Sequence, residues 1–557
     1  MQVNDFLPYG LLIACGSFIL ITVIWKAIHD CIRFFRTVLC INDPNQRWFA
    51  KPSIYLGLLK RHLIYAPILK RRHAQGIQLS SITKTGSFPT RLQLFLIVTY
   101  LAMNVALTTI QTHSNGPYKE FAALIRHRLG ILATLNMIPL FILASRNNIL
   151  VQLLGIPFDT HILLHRWLGR IVAVEALGHT IAHLAGYHFT KESLTLMVSP
   201  SKPLLFWGFV GSLSFLLICI QASSPLRHAF YETFKLLHIC LVVLSVYALW
   251  RHLKLGDLPE LKYVYAIIAV WVADHLLRAI RLVLFNIGRS VTGTSIEALA
   301  GDVCRVTVTL SPSWQVQPGQ HVYLYLPLIG LLQSHPFSIA WATKVGPSTH
   351  DTEENIAQKQ QISFIIRART GMTETLYRKA ASAPNRKLTT TCFLEGPYGS
   401  GPSLASYGTV MLLAGGVGIT QQLLYVKSLL AGYSEGTVAT RRILLVWSTR
   451  HPEHLEWIEP WISEVSAMNE RNQILQVMLF ISKPVASSDR LPSNSIVEVF
   501  RGRPDIDTMI AIEQERQIGA MVVSTCGPGE LGDTVRYTVR KLQGRSTIDL
   551  VEDAYSW

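Results

Sequence analysis

The chain has 557 residues, half of them apolar, with 15% charged and a formal net charge of +16. That charged share is well below the roughly 25% of soluble globular domains, and with a positive mean hydropathy of +0.31 it points to membrane spans and away from a wholly soluble chain. The basic excess does not call for nucleic acid, because much of it lies in one loop between apolar stretches, where positive-inside topology and attraction to membrane lipid account for it.

Seven stretches approach the roughly 20 residues needed to cross a hydrocarbon core. They are 7–25, 93–112, 129–144, 161–185, 204–221, 235–251 and 263–285. The first has Asp5 before it and Lys26, Arg33 and Arg36 after it, which reads as a retained span with its N-terminus outside rather than a signal peptide. The connection 29–92 carries eleven Lys and Arg against Asp30 and Asp43, and so reads as cytoplasmic. Seven spans from an outside start place everything after residue 286 in the cytoplasm as well. The eight cysteines show no CxxC and no pairing pattern. Nothing in their spacing suggests a zinc site or a disulfide framework, and Cys31 and Cys40 beside the first span are at best palmitoylation candidates.

Inside the fourth and sixth spans, "HRWLGRIVAVEALGH" (165–179) and "HICLVVLSVYALWRH" (238–252) each begin and end in histidine, fourteen residues apart. In a helix that interval turns through about 1400°, close to four whole turns, and rises about 21 Å. Each pair therefore shares a helical face. One span separates the two helices, so they run parallel, with His165 and His238 at the inner level and His179 and His252 at the outer. Two imidazoles facing each other at one level can ligate a haem iron axially, and two levels make a stack of two haems. A zinc or proton-relay site would need all four at one depth. His161 and His183 are co-facial competitors, but only 165/179 matches the 238/252 interval, and they read as interfacial or hydrogen-bonding residues. Arg166, Arg170 and Arg251 could meet haem propionates or serve as lipid anchors. Glu175 sits mid-span with no assigned partner.

After residue 290 the pattern changes to short alternating runs, "CRVTVTL" (304–310) and "HVYLYLP" (321–327), which read as antiparallel strands of a small barrel. "HPFSIA" (335–340) follows, then a polar insertion at 344–361, the strand "ISFIIRART" (362–370), and a Gly-Met-Thr turn that opens a helix over 371–380. Free amides at that helix N-terminus, with Arg367 beside them, could hold a pyrophosphate, although many such turns bind nothing. From 409 strand and helix alternate: "TVMLLAGGVGIT" (409–420), "RILLVWSTR" (442–450), "ILQVMLFIS" (474–482) and "AMVVSTCG" (520–527). This predicts a doubly wound parallel sheet with a glycine-rich turn at the carboxyl edge of its first strand. The turn is not GxGxxG, and either a bound nucleotide phosphate or a tight structural turn would use such glycines. Arg450 ends the second strand, where a cation can meet the 2′-phosphate that marks NADPH, or simply be solvated.

In this order, the two His-x13-His spans, "PGQHVYLYLP", "HPFSIA", "GMT", "GPYG", "GGVGIT", "CGPGE" and the terminal "EDAYSW" resemble a fungal ferric reductase, of the superfamily that includes the NADPH oxidases. The resemblance implies three domains: a transmembrane haem domain over 1–286, an FAD-binding β-barrel over 287–402, and an NADPH-binding α/β domain over 403–557. It implies FAD, NADPH and two b-type haems as cofactors, with His165, His179, His238 and His252 as iron ligands. His335, Pro336, Phe337 and Ser338 would line the flavin, with Ser338 near its reactive edge, and Gly371 and Thr373 would contact FAD phosphate. Gly396 to Gly399 would border the nicotinamide. Gly415, Gly416, Gly418 and Thr420 would hold the NADPH pyrophosphate, with Cys526, Gly527 and Pro528 flanking the nicotinamide and Trp557 against the flavin. The implied activity is NADPH-driven reduction of ferric chelates, with cupric ions as a second acceptor, across the plasma membrane or a vacuolar membrane. An iron or copper transporter would then take up the product. The alternative within the superfamily is a superoxide-producing NADPH oxidase.

Overall fold

The computed structural model describes residues 3–77, 86–110, 118–186, 191–286, 293–310, 314–330, 333–345, 359–399, 401–470, 472–483 and 496–552. The chain divides into two compact units, Met1–Ala27 with Gly76–Leu277 and Ile28–Gln75 with Arg278–Trp557.

Each expected span coincides with a long helix, α1 (Val3–Cys40), α2 (Arg91–Thr109), α3 (Tyr118–Ala144), α4 (Phe158–Gly186), α5 (Pro203–Gln221), α6 (Tyr231–Leu255) and α7 (Leu261–Asn286), except that the second, expected over 93–112, ends as a helix at Thr109. Five of them, α1, α2, α3, α5 and α6, are long and apolar enough to cross a membrane by length and composition alone. The polar content of the other two explains the difference. Helix α4 carries Arg166, Arg170, Glu175 and its histidines, and α7 carries Lys262, Asp274, Arg278 and Arg281. Two of these polar groups are buried and satisfied within the bundle, as a polar group in hydrocarbon must be. Glu175 is 5% exposed and accepts from Asn136 Nδ2 at 2.9 and 3.0 Å. Asp274 accepts the Asn147 backbone N–H at 2.9 Å. Asn136 accepts in turn from the Tyr100 hydroxyl at 2.6 Å. Local signals start the helices: Thr90 and Gln93 form a reciprocal capping box on α2, and Pro203 opens α5 in the first turn, where its missing N–H costs nothing. Helix α3 packs along α4, and α5 along α6. Met137, Val172, Val246, Val264 and Ile267 form a buried cluster among them.

The segment after α1 departs from the loop expected there. Helix α1 runs on to Cys40, and residues 28–75 belong to the second unit. Arg36 donates to Ser406 Oγ at 2.6 Å and lies 4.0 Å over the Tyr407 ring, Lys60 pairs with Asp549, and the Arg71 guanidinium lies 3.9 Å over the Tyr537 ring. Protein partners rather than lipid headgroups therefore engage these cations. Cys40 is 2% exposed, which removes it as an acylation candidate.

The rest of the second unit begins with two antiparallel sheets. One has the order β5 (Trp341–Val345), β6 (Lys359–Arg367), β2 (Val303–Leu310), β1 (Gly293–Leu299), β7 (Lys387–Thr391), and the other the order β4 (Ser334–Ser338), β3 (His321–Tyr325), β8 (Phe393–Tyr398). Period-two burial along β2 aims Val306, Val308 and Leu310 into a core shared with Val322, Leu324 and Phe364. Helix α8 (Met372–Ala381) covers one end. Most of the expected insertion, 346–358, lies outside the described residues. A six-stranded parallel sheet follows, in the order β12 (Val497–Arg501), β11 (Leu475–Ile481), β10 (Arg442–Thr449), β9 (Thr409–Gly415), β13 (Met521–Cys526), β14 (Ile548–Glu552). The chain winds from β9 towards β12, then returns to β13 on the other side of β9. Helices α9 (Ile419–Ser434), α10 (Glu459–Glu470), α11 (Ile506–Glu515) and α12 (Gly529–Leu542) connect the strands. The switch point thus falls between the carboxyl ends of β9 and β13, where open α/β sheets bind ligands.

Candidate functional site

In the first unit the imidazoles of His179 on α4 and His252 on α6 face each other, ring centres 6.2 Å apart and planes at 87°. A metal–nitrogen bond of about 2 Å on each side, plus about 1.1 Å from nitrogen to ring centre, separates two axial imidazoles by roughly 6 Å. Each Nδ1 is tied down: His179 to the Arg126 carbonyl at 2.7 Å, His252 to the Leu204 carbonyl at 2.8 Å. At the other level His165 Nδ1 meets the Leu140 carbonyl at 3.0 Å. His238 Nδ1 meets the Gln221 amide at 2.9 Å and lies within electrostatic reach of His165. A carbonyl acceptor fixes the proton on Nδ1 and leaves Nε2 with a lone pair for a metal, the arrangement that orients metal-binding imidazoles. Two glycines make room for the His179 and His252 pair. A Cβ on Gly130 of α3 or on Gly208 of α5 would lie 2.9 Å from Nδ1 of His179 or His252 respectively. Each glycine stands four residues after the carbonyl its histidine uses, so the imidazole enters where a side chain would otherwise project.

The donor set fits haem. Among the described residues no three His, Cys, Asp or Glu side chains converge on a metal-sized point. Two-point ligation of this kind suits an iron whose remaining ligands come from a macrocycle. Cations for propionates are present as well. Arg251, beside His252, buries an Nε with no hydrogen-bond partner. Next to His165, Arg166, Arg170 and Arg227 lie within electrostatic reach of one another, with Asp159 beside Arg166. His161 instead bonds the Pro157 carbonyl at 3.2 Å, and His183 accepts from Arg126 at 3.2 Å.

In the second unit His335 to Ser338 form the half-buried edge strand β4, with Ser338 opposite His321 and Phe337 opposite Val322. Gly371, at φ +65°, caps α8 and leaves its first amides open, while Thr373 Oγ1 accepts the Arg369 N–H at 3.1 Å inside the turn. Arg367 ends β6 and is exposed. "GPYG" closes β8 through a cis Gly396–Pro397 bond, and Gly399 has φ +68°. Sequence reasoning missed the group beneath it. Glu395 is fully buried and accepts from Arg278 Nε at 2.9 Å, Tyr325 at 2.6 Å and Tyr398 at 2.9 Å, so within the second unit one carboxylate joins Arg278 to β3 and β8.

At the parallel sheet, Gly415, Gly416 and Gly418 end β9 and Thr420 lies in the first turn of α9. Cys526, Gly527 and Pro528 end β13 beside them. The Cys526 carbonyl lies so close to Gly418 that a Cβ there would overlap it, so the two loops form one continuous floor. Arg450 is exposed at the end of β10. It acts with Arg367 on a residue the sequence did not flag, His454, which stacks on Trp457 at 4.2 Å and bonds Thr449 Oγ1 at 2.6 Å. Burial, then His451 and those two arginines, hold the His454 imidazole below its ordinary value. Trp557 lies outside the described residues.

Three stretches match known families: residues 129–249 "Ferric reductase like transmembrane component", 289–402 "FAD-binding domain" and 407–540 "Ferric reductase NAD binding domain". Among curated proteins, Ferric reductase transmembrane component 3 of Saccharomyces cerevisiae is 27% identical over 89% of this chain and 71% of its own length. Ferric/cupric reductase transmembrane component 2 of the same yeast is 26% identical over 98% and 76%. Ferric/cupric reductase transmembrane component 1 of Candida albicans is 28% identical over 87% and 64%.

Proposed function

Because the chain belongs to the ferric reductase family, we propose that it is a multi-pass transmembrane metalloreductase, taking electrons from cytosolic NADPH and delivering them to ferric or cupric chelates on the far side of the membrane. The observation that carries this reading is the facing His179 and His252 pair with both Nδ1 atoms anchored, at the opposite end of the same two helices from His165 and His238. When bound, NADPH and FAD supply hydride chemistry and the splitting of an electron pair, and a haem pair supplies two one-electron stations.

The chain's own residues do the rest. The domains are assigned as 1–286, 287–402 and 403–557, with the last two in the cytoplasm. Gly415, Gly416, Gly418 and the α9 N-terminus receive the dinucleotide pyrophosphate, with Arg450 at the 2′-phosphate. Cys526 to Pro528 and Gly396 to Gly399 confine the nicotinamide. Gly371, Thr373 and Arg367 would hold the flavin phosphates, and His335 to Ser338 would line its ring, with Ser338 at the reactive edge. His165 and His238 would hold the inner iron, and His179 and His252 the outer. Moving one electron outward is favoured by roughly 2.3 kcal/mol per 100 mV of inside-negative potential. The plasma membrane fits a protein that feeds an iron or copper transporter, and a vacuolar membrane is the other setting for the same chemistry.

Membranes containing the loaded protein provide the test. NADPH should develop the reduced haem α-band, and ferric citrate added on the far side should discharge it. Absence of any haem band ends the reading, and fast discharge by O₂ with release of superoxide would replace it with an oxidase.

A further inference from the structure

The segment that follows α1 meets the nucleotide domain at 73–75 among other places, and the functional reading above gives that contact no role. Asp533, one turn into α12, is 6% exposed and accepts three successive backbone N–H groups, from His73 at 2.9 Å, Ala74 at 2.8 Å and Gln75 at 3.1 Å. Three amides converging on one carboxylate make a strong, directional clamp. One turn further along α12, Tyr537 carries the Arg71 guanidinium on its face at 3.9 Å. Ahead of the clamp the helix surface is bare: a Cβ on Gly529 would lie 2.8 Å from the Ala74 carbonyl oxygen and 3.0 Å from the Gln75 nitrogen. Backbone therefore packs on backbone at the first turn of α12. That turn continues directly from Cys526, Gly527 and Pro528, and the Cys526 carbonyl rests on Gly418. Residues 73–75, the first turn of α12 and the glycine-rich turn after β9 are three layers in contact.

We infer that residues 71–75 are a bracket for the Cys526–Pro528 loop, and that Asp533 is a positioning residue for hydride transfer from NADPH. The inference rests on the nucleotide reading above. The bracket touches the side of the floor assigned to the nicotinamide and lies away from Arg450 at the far end of the dinucleotide. Loosening it therefore alters where the nicotinamide ring sits more than how tightly the phosphates are held. A misplacement of about 1 Å in a reacting group costs on the order of a hundredfold in rate.

Two variants of the full-length, FAD-loaded protein test this by different routes. Asp533→Asn replaces an acceptor oxygen by a donor facing an amide. Gly529→Ala keeps the carboxylate but pushes the bracket off the helix. Rapid mixing with NADPH should show flavin bleaching slowed by about tenfold to a hundredfold in both, with half-saturating NADPH changed by less than about threefold and a larger isotope effect from 4-deuterated NADPH. Flavin content, and ferric citrate reoxidation of protein reduced by dithionite, should match the parent. Unchanged bleaching in both variants overturns the bracket, and so does an equal loss of the dithionite-primed reaction, which would mark general damage. If NADPH fails to bleach even the parent protein, the nucleotide reading itself falls, a result distinct from either.

Discussion

Gly130 and Gly208 show how much of the proposed haem site would reside in what is missing. Each stands one helical turn after a carbonyl that a histidine uses, and at each a Cβ would come within 2.9 Å of the imidazole nitrogen. Gly130→Ala or Gly208→Ala should therefore expel the imidazole from its carbonyl and lower the haem content from two per chain to one. Haem absorbance per mole of protein, with circular dichroism to confirm intact helices, checks this, and retention of both haems refutes it. Gln221 is the fourth anchor and differs in kind. Its amide nitrogen faces His238 Nδ1 at 2.9 Å while its oxygen is buried without a partner. Turning the amide over would give His238 the same oxygen acceptor as the other three, and amide orientation follows from such networks. Gln221→Leu removes that acceptor, makes the imidazole a weaker donor to iron, and should raise the midpoint potential of the inner haem alone in a redox titration of the α-band.

At the scale of elements, the segment 41–77 illustrates what a sequence does and does not reveal. Strand β2 was legible because its neighbours in the sheet impose a period of two on its own residues, and "CRVTVTL" carries that period. The long helices were legible from apolar length. Nothing comparable marks 41–77, whose partners lie hundreds of positions away: Lys60 finds Asp549, and Asp533 finds 73–75. Seen along the chain, its cations look like a solvated loop. Its attachment should depend on pH with a definite sign. Burial pushes the Asp549 carboxyl up, but Lys60 and the Tyr407 hydroxyl at 2.6 Å outweigh it and hold the group below its usual range. A carboxyl depressed on folding contributes its full stability above the unfolded value of about 4, and loses it as pH falls through the folded value. The difference in melting temperature between the parent and Asp549→Asn should thus be constant from pH 7 to pH 5 and shrink below about pH 4. A difference that instead grows on acidification would show that the carboxylate is not stabilising. Glu395 was illegible for the same reason as the segment. Glu395→Gln leaves Arg278 without its carboxylate and should cost about 3–5 kcal/mol, the range for breaking a buried pair, read as a lower melting temperature with loss of flavin.

For the whole molecule, the legible part of the site is the part governed by one helical repeat. Fourteen residues bring two histidines to one face at two depths, and the same interval on α4 and α6 lets them pair level by level; the 6.2 Å between His179 and His252 comes from how the two helices pack, which the interval does not set. The anchoring carbonyls, Gly130, Gly208 and Arg227 belong to helices whose rotation the interval does not specify, and only packing reveals them. Because the two levels are separate, they can be separated by experiment. His179→Ala removes one outer ligand and leaves β4, the β9 and β13 loops and the inner pair as they are. In sealed vesicles loaded with ferric citrate and given NADPH outside, with the nucleotide domain facing out, flavin bleaching should proceed at the parental rate while reduction of the enclosed iron falls to the leak level. An imposed potential, negative on the NADPH side, should speed the parent, since each electron then moves down the field, and should leave the variant unchanged. Iron reduction that persists in His179→Ala, or a parent indifferent to voltage, would mean that electrons do not cross by way of the outer histidine pair.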